Sequence, residues 1–597
     1  MNSIASLNET LESVGNRSIQ GNGAFGACDQ KRAEQAREAA GIAEAVTPPC
    51  AGAGNVFFGT QERMNPAGSR PSFHQPRWLP SQGTRLWVAL TVIALLAGIG
   101  LRVVRLDRVP PGLDQDEACN GYDAYSILET GRDQHGNLMP LAIQAFNDYR
   151  MPLFDYSLVP LVAAFGLRPV SVRLGAAMWG AVDMAAIVFI AGLLLGWPGA
   201  AIAALLTAFS PWHLFYSRFA HEAITSSATI DLAMAAFFLW VTRRGDRWLL
   251  LSALFFGLSL YAYSITKLFA PLMIGWLVLL YWRELRQAGH EALAALGMVG
   301  LFAVPQAVLI GLHPEMMVRY RTTSVLHRAG SLAIGLQAVA AGWASYFTPS
   351  YLFTAGDVSV FNHVQHFGQL LPVQAPLIAL AAIGLFAAPY RKLIVLLTGW
   401  LMLAALPAAL LKDSPSALHG VLASEPWTLL SASGFTTLLD LVAGIPVVTA
   451  CAAVLIPAWV VFSGVQFVRS YFVDYPIAAA RNFQYGLEEV VRSLGGLGDE
   501  NEPVVFPLDD INQPYIYVLF FMHYPPARFQ RGPVVRTHGI MAPVLRFDRY
   551  IFYYPGLAYQ NLEHGIFVFP SWASPPAEPV LTVRYPDGAA AYSVVVK

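Results

Sequence analysis

Leu86-Trp-Val-Ala-Leu-Thr-Val-Ile-Ala-Leu-Leu-Ala-Gly-Ile-Gly-Leu101 is an unbroken apolar run, and a short link separates it from Leu113-Asp-Gln-Asp-Glu-Ala-Cys-Asn-Gly-Tyr-Asp123. The first stretch has no charge and, as helix, approaches the roughly 20 residues needed to cross about 30 Å of hydrocarbon. Runs of the same kind, with at most one charge each, recur at 176–195, 228–241, 268–281, 293–312, 393–411 and 447–467. The whole chain is 55% hydrophobic and 13% charged, against about 25% charged in an ordinary soluble domain. These features predict a polytopic α-helical membrane protein. The second stretch places several carboxylates just past the first span, which suggests chemistry at the membrane surface.

The formal net charge of −1 gives no support for nucleic acid as a partner. The four cysteines, Cys28, Cys50, Cys119 and Cys451, have no paired spacing, so neither a disulfide framework nor a zinc site is indicated. Residues 1–84 are rich in Gly, Ala, Ser, Asn and Pro, carry no signal-peptide pattern, and read as a disordered cytoplasmic tail.

Arg63, Arg70, Arg77 and Arg85 precede the first span and place the N-terminus in the cytoplasm by the positive-inside rule. Arg243, Arg244 and Arg247, then Arg283 and Arg286, then Arg391 and Lys392 mark later cytoplasmic loops. Satisfying all of them requires that 152–167, with Asp155, Pro152 and Pro160, lie in the interface rather than cross. About eleven spans result, near 86–104, 174–195, 199–216, 223–242, 248–264, 267–282, 293–312, 373–389, 393–411, 427–445 and 447–468. The loops 105–173, 313–372 and 412–426 then face outward with the C-terminal region. From Tyr471 onward, β-type runs and two helical runs, 477–494 and 513–522, predict a small α/β outer domain over 471–597. Residues 580–585 and 591–596, joined through Pro586-Asp587-Gly588, predict a hairpin.

On that outer face Asp114, Asp116 and Glu117 form the candidate base and its supporting carboxylates, with Asp123 on the face of Asp116 if the segment is helical. Arg150, Arg218 and Lys267 suit a phosphate, which guanidinium and ammonium groups hold by charge-assisted hydrogen bonds. Taken singly, each also fits interfacial snorkelling. The loop 313–372 offers Arg319, Arg321, His327, Arg328, His363 and His366. His363 and His366, spaced i, i+3, fall on one face of any helix there. Two histidines without a third ligand favour substrate contact over metal. Glu222 beside His221 is a further outward candidate for substrate binding, with a helix cap as the alternative. Asp231, inside a span, is expected to face the bundle interior.

The pattern resembles the GT-C superfamily of polyprenyl-phosphate-sugar-dependent glycosyltransferases, and most of all bacterial family 39 members. These are relatives of the protein O-mannosyltransferases and of the lipid A aminoarabinose transferase. The residues that carry the resemblance are Asp116-Glu117-Ala118, Arg150-Met-Pro-Leu153, Val172-Arg173-Leu174, Ser217-Arg218, Tyr346-Phe-Thr-Pro-Ser-Tyr-Leu-Phe-Thr-Ala-Gly-Asp357 and Gln513-Pro-Tyr-Ile-Tyr-Val-Leu-Phe520. It covers about residues 86–530. The related enzymes carry an Asp-Glu pair in the first outer loop, which maps onto Asp116 and Glu117. They commonly have Lys-Pro-Pro where this chain has Arg150-Met151-Pro152, so the charge is kept with a different geometry.

The resemblance implies a membrane domain over 85–470 with its catalytic loop at 105–173, in the bacterial inner membrane with the active site outside. It implies inverting transfer of a sugar from a polyprenyl-phosphate donor to a hydroxyl of an acceptor glycan, lipid or protein. Asp116 would take the proton, and Arg150, Arg218 or Lys267 would hold the donor phosphate. A divalent metal is compatible with this scheme but not required by it. A lipid-linked saccharide transporter and a non-catalytic assembly protein are the competing classes. The first would move substrate without covalent transfer, and the second would tolerate loss of the acidic loop.

Overall fold

The computed structural model describes residues 81–597 apart from 147, 387, 500, 509 and 538–542, and these fall within one compact unit, Arg70–Lys597. The tail expected over 1–84 lies outside the described residues except for its last four, which begin the first helix. Cys28 and Cys50 lie outside them too.

The quoted apolar run forms helix α1 (Ser81–Val103), and the acidic stretch forms α2 (Gln115–Thr130). Between α2 and the interface lies a two-stranded hairpin, β1 (Ile143–Ala145) with β2 (Asp148–Arg150), that the sequence reading did not anticipate. Next comes α3 (Leu153–Phe165), whose 13 residues reach about 20 Å. That is too short for a crossing, in keeping with an interfacial helix.

Helix α4 (Pro169–Phe209) has 41 residues and a non-helical break at Gly196, where φ is 73°. Glycine takes that conformation without the steric cost another residue would meet. A Cβ placed on Gly192 would lie 3.5 Å from Ala200, whereas eight residues of straight helix advance about 12 Å. The two arms therefore fold back on each other, at the junction expected between the spans 174–195 and 199–216.

The chain continues through α5 (Pro211–Tyr216), α6 (Ala223–Arg243), α7 (Asp246–Ser259) and α8 (Thr266–Leu280), then bends by 91° into α9 (Trp282–Ala288). Then follow α10 (His290–Leu312), α11 (Val318–Thr323), α12 (Leu332–Ser345), α13 (Gln374–Ile383), α14 (Ala388–Ala409), α15 (Ser424–Val442) and α16 (Pro446–Val473). Among the described residues six helices are long and apolar enough to cross a membrane, or seven if α8 and α9 count as one broken span. Eleven spans were expected. The regions near 248–264 and 373–389 hold helices of only 14 and 10 residues. The region near 427–445 holds a 19-residue helix that is not among the candidate crossings. Helix α6 is buried almost all round, while α10 and α16 expose Leu293, Leu301, Val304, Val454, Leu455 and Phe462. An apolar face of that extent suits lipid.

The C-terminal part is a mixed seven-stranded sheet in the order β4-β5-β6-β3-β7-β9-β8. Central β3 (Val504–Phe506) runs parallel to β6 (Tyr550–Phe552) and β7 (Ile566–Pro570). The expected hairpin forms as β8 (Leu581–Arg584) and β9 (Ala590–Val596). Strands β4 (Val534–Arg536) and β5 (Val544–Phe547) were not read from sequence. Of the helical run expected at 477–494, only Leu487–Ser493 forms a regular helix of more than one turn.

Helix α17 (Pro514–Phe521) is buried throughout and packs on α2. A Cβ at Gly121 would meet the Phe520 ring at 2.6 Å and Val172 at 2.7 Å, so glycine sets the approach of α2 to both neighbours. Tyr122 donates to Tyr524 O at 2.9 Å and Tyr515 to Gln134 Oε1 at 3.0 Å. These contacts tie the sheet region to the helix that carries the acidic stretch.

Candidate active site

Asp114 caps α2. Its carboxylate accepts from the Asp116 N–H at 2.9 Å, and its own N–H donates to Glu117 Oε2 at 3.1 Å. This reciprocal arrangement satisfies two donors at the helix start. Burial pushes the Asp114 carboxyl well above its ordinary range, with Asp116 adding to the rise.

Glu117 is fully buried. Arg173 reaches it with Nε to Oε1 and Nη2 to Oε2, both at 2.8 Å, and the Ala220 N–H donates to Oε1 at 3.0 Å. The same guanidinium donates to the carbonyls of Leu106, Pro110 and Gly112. Glu117 and Arg173 thus join α2, the start of α4 and the link after α1.

Asp116 differs from both. Its side chain is part-exposed, and among the described residues no donor is bonded to its carboxylate. Burial raises its pKa, His221 pulls it back, Glu222 adds to the rise, and Arg150 and Arg319 oppose it. Those four residues come from three different segments. Glu222 precedes α6 and His221 sits beside it, with Nδ1 3.5 Å from Glu222 Oε2. The His221 ring makes edge contact with Tyr263, which stacks parallel on His419, and His419 pairs with Asp413 at 3.2 Å.

Arg150 ends β2 and is buried. Its Nη2 bonds Asp123 Oδ2 at 2.6 Å and Asp155 Oδ1 at 2.9 Å, while Nε and Nη1 have no partner among the described residues. Burial lifts Asp123 to about 6 against the pull of Arg150, and it lifts Asp155 well above the carboxylate range. Lys267, in the first turn of α8, makes no ion pair among the described residues and neighbours Asp148. Asp148 accepts from Arg319 Nη1 at 2.7 Å.

The other expected site residues lie elsewhere. Arg218 donates to the carbonyls of Leu101, Arg105 and Val109 and packs its guanidinium 4.7 Å from the Phe472 ring, so it braces the link before α2. Residues 357–372 form no helix, so the i, i+3 spacing does not pair the two histidines on one face. His363 is buried against the Phe367 carbonyl at 2.6 Å, and burial lowers its pKa to about 4. His366 is exposed, as is Arg321. It is Arg319, two residues earlier, that neighbours Asp116. Asp413, His419 and Tyr263 joined the cluster without a motif to announce them. Among the described residues the only set of three acidic, histidine or cysteine ligands close enough for a metal is Asp246, His290 and Glu291, at the starts of α7 and α10.

Comparison with known proteins agrees with the resemblance read from sequence. A family model described as dolichyl-phosphate-mannose-protein mannosyltransferase matches residues 150–308, which include Arg150, Arg173, Arg218, Glu222 and Lys267. No curated protein matches. Among solved structures, ArnT from Cupriavidus metallidurans bound to undecaprenyl phosphate is similar, with a TM-score of 0.52 at 12% identity over 86% of this chain and 98% of that one. The apo state of the same protein gives 0.51 at 12% identity, over 85% and 98%. The fold is therefore the helical architecture seen in ArnT.

Proposed function

We propose that this protein transfers a sugar from a polyprenyl-phosphate-linked donor to an acceptor hydroxyl at the outer face of a bacterial inner membrane, with inversion. The observation that carries this reading is the asymmetry of the first turn of α2. Asp114 and Glu117 are held by hydrogen bonds, and Asp116 is open, with Arg150 and Arg319 from two other segments near it. The shared fold with a protein solved with undecaprenyl phosphate supports the donor class.

In this mechanism Asp116 accepts the proton of the acceptor hydroxyl, and that oxygen attacks the anomeric carbon. The anomeric carbon–phosphate oxygen bond breaks on the opposite side, and polyprenyl phosphate leaves with the electron pair. Arg150, through its free Nε and Nη1, meets the developing phosphate charge together with Lys267 and Arg319. Glu222 and His221 adjust the basicity of Asp116 and border the sugar site. Glu117, Asp114, Arg173 and Arg218 position the loop rather than touch substrate. Residues 85–470 form the membrane domain, and 471–597 an extracytoplasmic domain that buttresses α2 through α17.

The test is sugar transfer by purified protein in lipid, with a polyprenyl-phosphate sugar supplied. Asp116→Asn should fold as wild type does and lose transfer. Undiminished transfer by that variant overturns the assignment.

A further inference from the structure

A second set of ionisable groups lies inside the bundle, away from the candidate active site. Arg102 on α1, Asp183 on α4, His213 on α5, Asp231 on α6 and Glu425 on α15 are all buried. Arg102 Nη2 lies 2.8 Å from His213 Nδ1. Arginine only donates, so Nδ1 accepts and the ring proton sits on Nε2. Nε2 lies 3.1 Å from Asp183 Oδ2. Arg102 further donates to Gly98 O, Thr207 O and Ser217 Oγ.

Of the three carboxyl groups, Asp183 is the one that neighbours Arg102. The charged neighbours of Asp231 are Asp183 and Glu425, and that of Glu425 is Asp183. Arg218, the other cation near this set, neighbours Arg102. Among the described residues no donor reaches either oxygen of Asp231 or of Glu425 with hydrogen-bond geometry. Ser227, one turn before Asp231, is buried beside Glu425 and its hydroxyl also lacks such a partner. Three ionised carboxylates against one cation are strongly disfavoured in a medium that solvates neither. Their oxygens do not converge as a three-ligand metal site requires.

We propose that Asp183, Asp231 and Glu425 form an intramembrane proton-binding site, with one proton on Asp231 and one on Glu425. Asp183 faces Arg102 through neutral His213. The site sits behind the catalytic scaffold, because Arg102, His213 and Ser217 join the end of α1 to the turn that carries Arg218. It is independent of the reaction proposed above.

The full chain in lipid nanodiscs tests it. The infrared difference spectrum between wild type and Asp231→Asn/Glu425→Gln should show loss of protonated-carboxyl C=O absorption in the variant, and an unchanged spectrum overturns the proposal. The slope of melting temperature against pH should be smaller in the double variant than in wild type, and an equal slope counts against the site. If the double variant does not fold, Glu425→Gln alone should remove one absorption and part of the slope. A sodium-dependent rise in wild-type melting temperature, absent from the variant, would replace the protons with a bound cation and overturn the proposal.

Discussion

Asp116 and Glu117 are neighbours on one turn of α2, and their surroundings are opposite. Glu117 accepts from two guanidinium nitrogens and two backbone amides, so its charge is fully engaged and it acts as a brace. Asp116 accepts none from the described residues and faces a mixed field of His221, Glu222, Arg150 and Arg319. A similar division separates the arginines: Arg173 and Arg218 are bound to carbonyls of α1 and the link before α2, with Arg218 Nε alone left over, while Arg150 keeps two nitrogens unpartnered among the described residues. A group held on every side stabilises a loop, and one left partly unsatisfied can bind or react.

The largest expected effect falls on the braced side. Glu117→Gln leaves Arg173 buried with one carboxylate lost, and breaking such a pair costs about 3–5 kcal/mol. Little folded protein should survive detergent extraction, as read by size-exclusion profiles. A well-folded, active variant would break the contrast with Asp116. Asp116→Asn is expected to lower kcat by about 10²–10⁴, the range of a single general base, while its melting temperature holds or rises. A matching loss of stability would show Asp116 to be a brace as well.

Lys267→Ala removes a cation that makes no ion pair among the described residues. A charge-assisted hydrogen bond contributes about 1.5–3 kcal/mol, so kcat/KM for the lipid-linked donor should fall by roughly 10- to 100-fold without loss of stability. Glu222→Gln sharpens the picture through pH. Transfer needs Asp116 ionised, so activity is lost as pH falls through its raised pKa. Glu222 adds to that rise, and its neutralisation should move the acid limb of the pH–rate profile to lower pH. An upward shift would contradict the placement of Glu222 beside the base. The smallest effect belongs to Arg321→Ala, an exposed change expected to leave stability within about 0.5 kcal/mol and activity unaltered.

Part of the braced side has a local signal in the sequence that was not read there. Asp114 followed three residues later by Glu117 is the spacing of a capping pair, a signal that both carboxylates serve the helix. The partner of Glu117 was not legible. Arg173 lies 56 residues away and is brought there by the return of the chain through α3. His363 and His366 misled because their spacing was read on a helix, and residues 357–372 form none. Arg319 and Arg321 both stood in the sequence, and only the pairing of Arg319 with Asp148 shows which one reaches the cluster.

The sequence by itself determined that the chain is built of long apolar helices suited to a membrane and where most of the longest of them run. Those properties follow from local apolar content, length and charge, which act within a few turns. Which carboxylate stays open, which arginine keeps nitrogens unpaired, and how Asp231 and Glu425 come to neighbour Asp183 were decided by tertiary structure alone. Hydrogen-bond saturation depends on donors from distant segments, and only packing brings those within 3 Å.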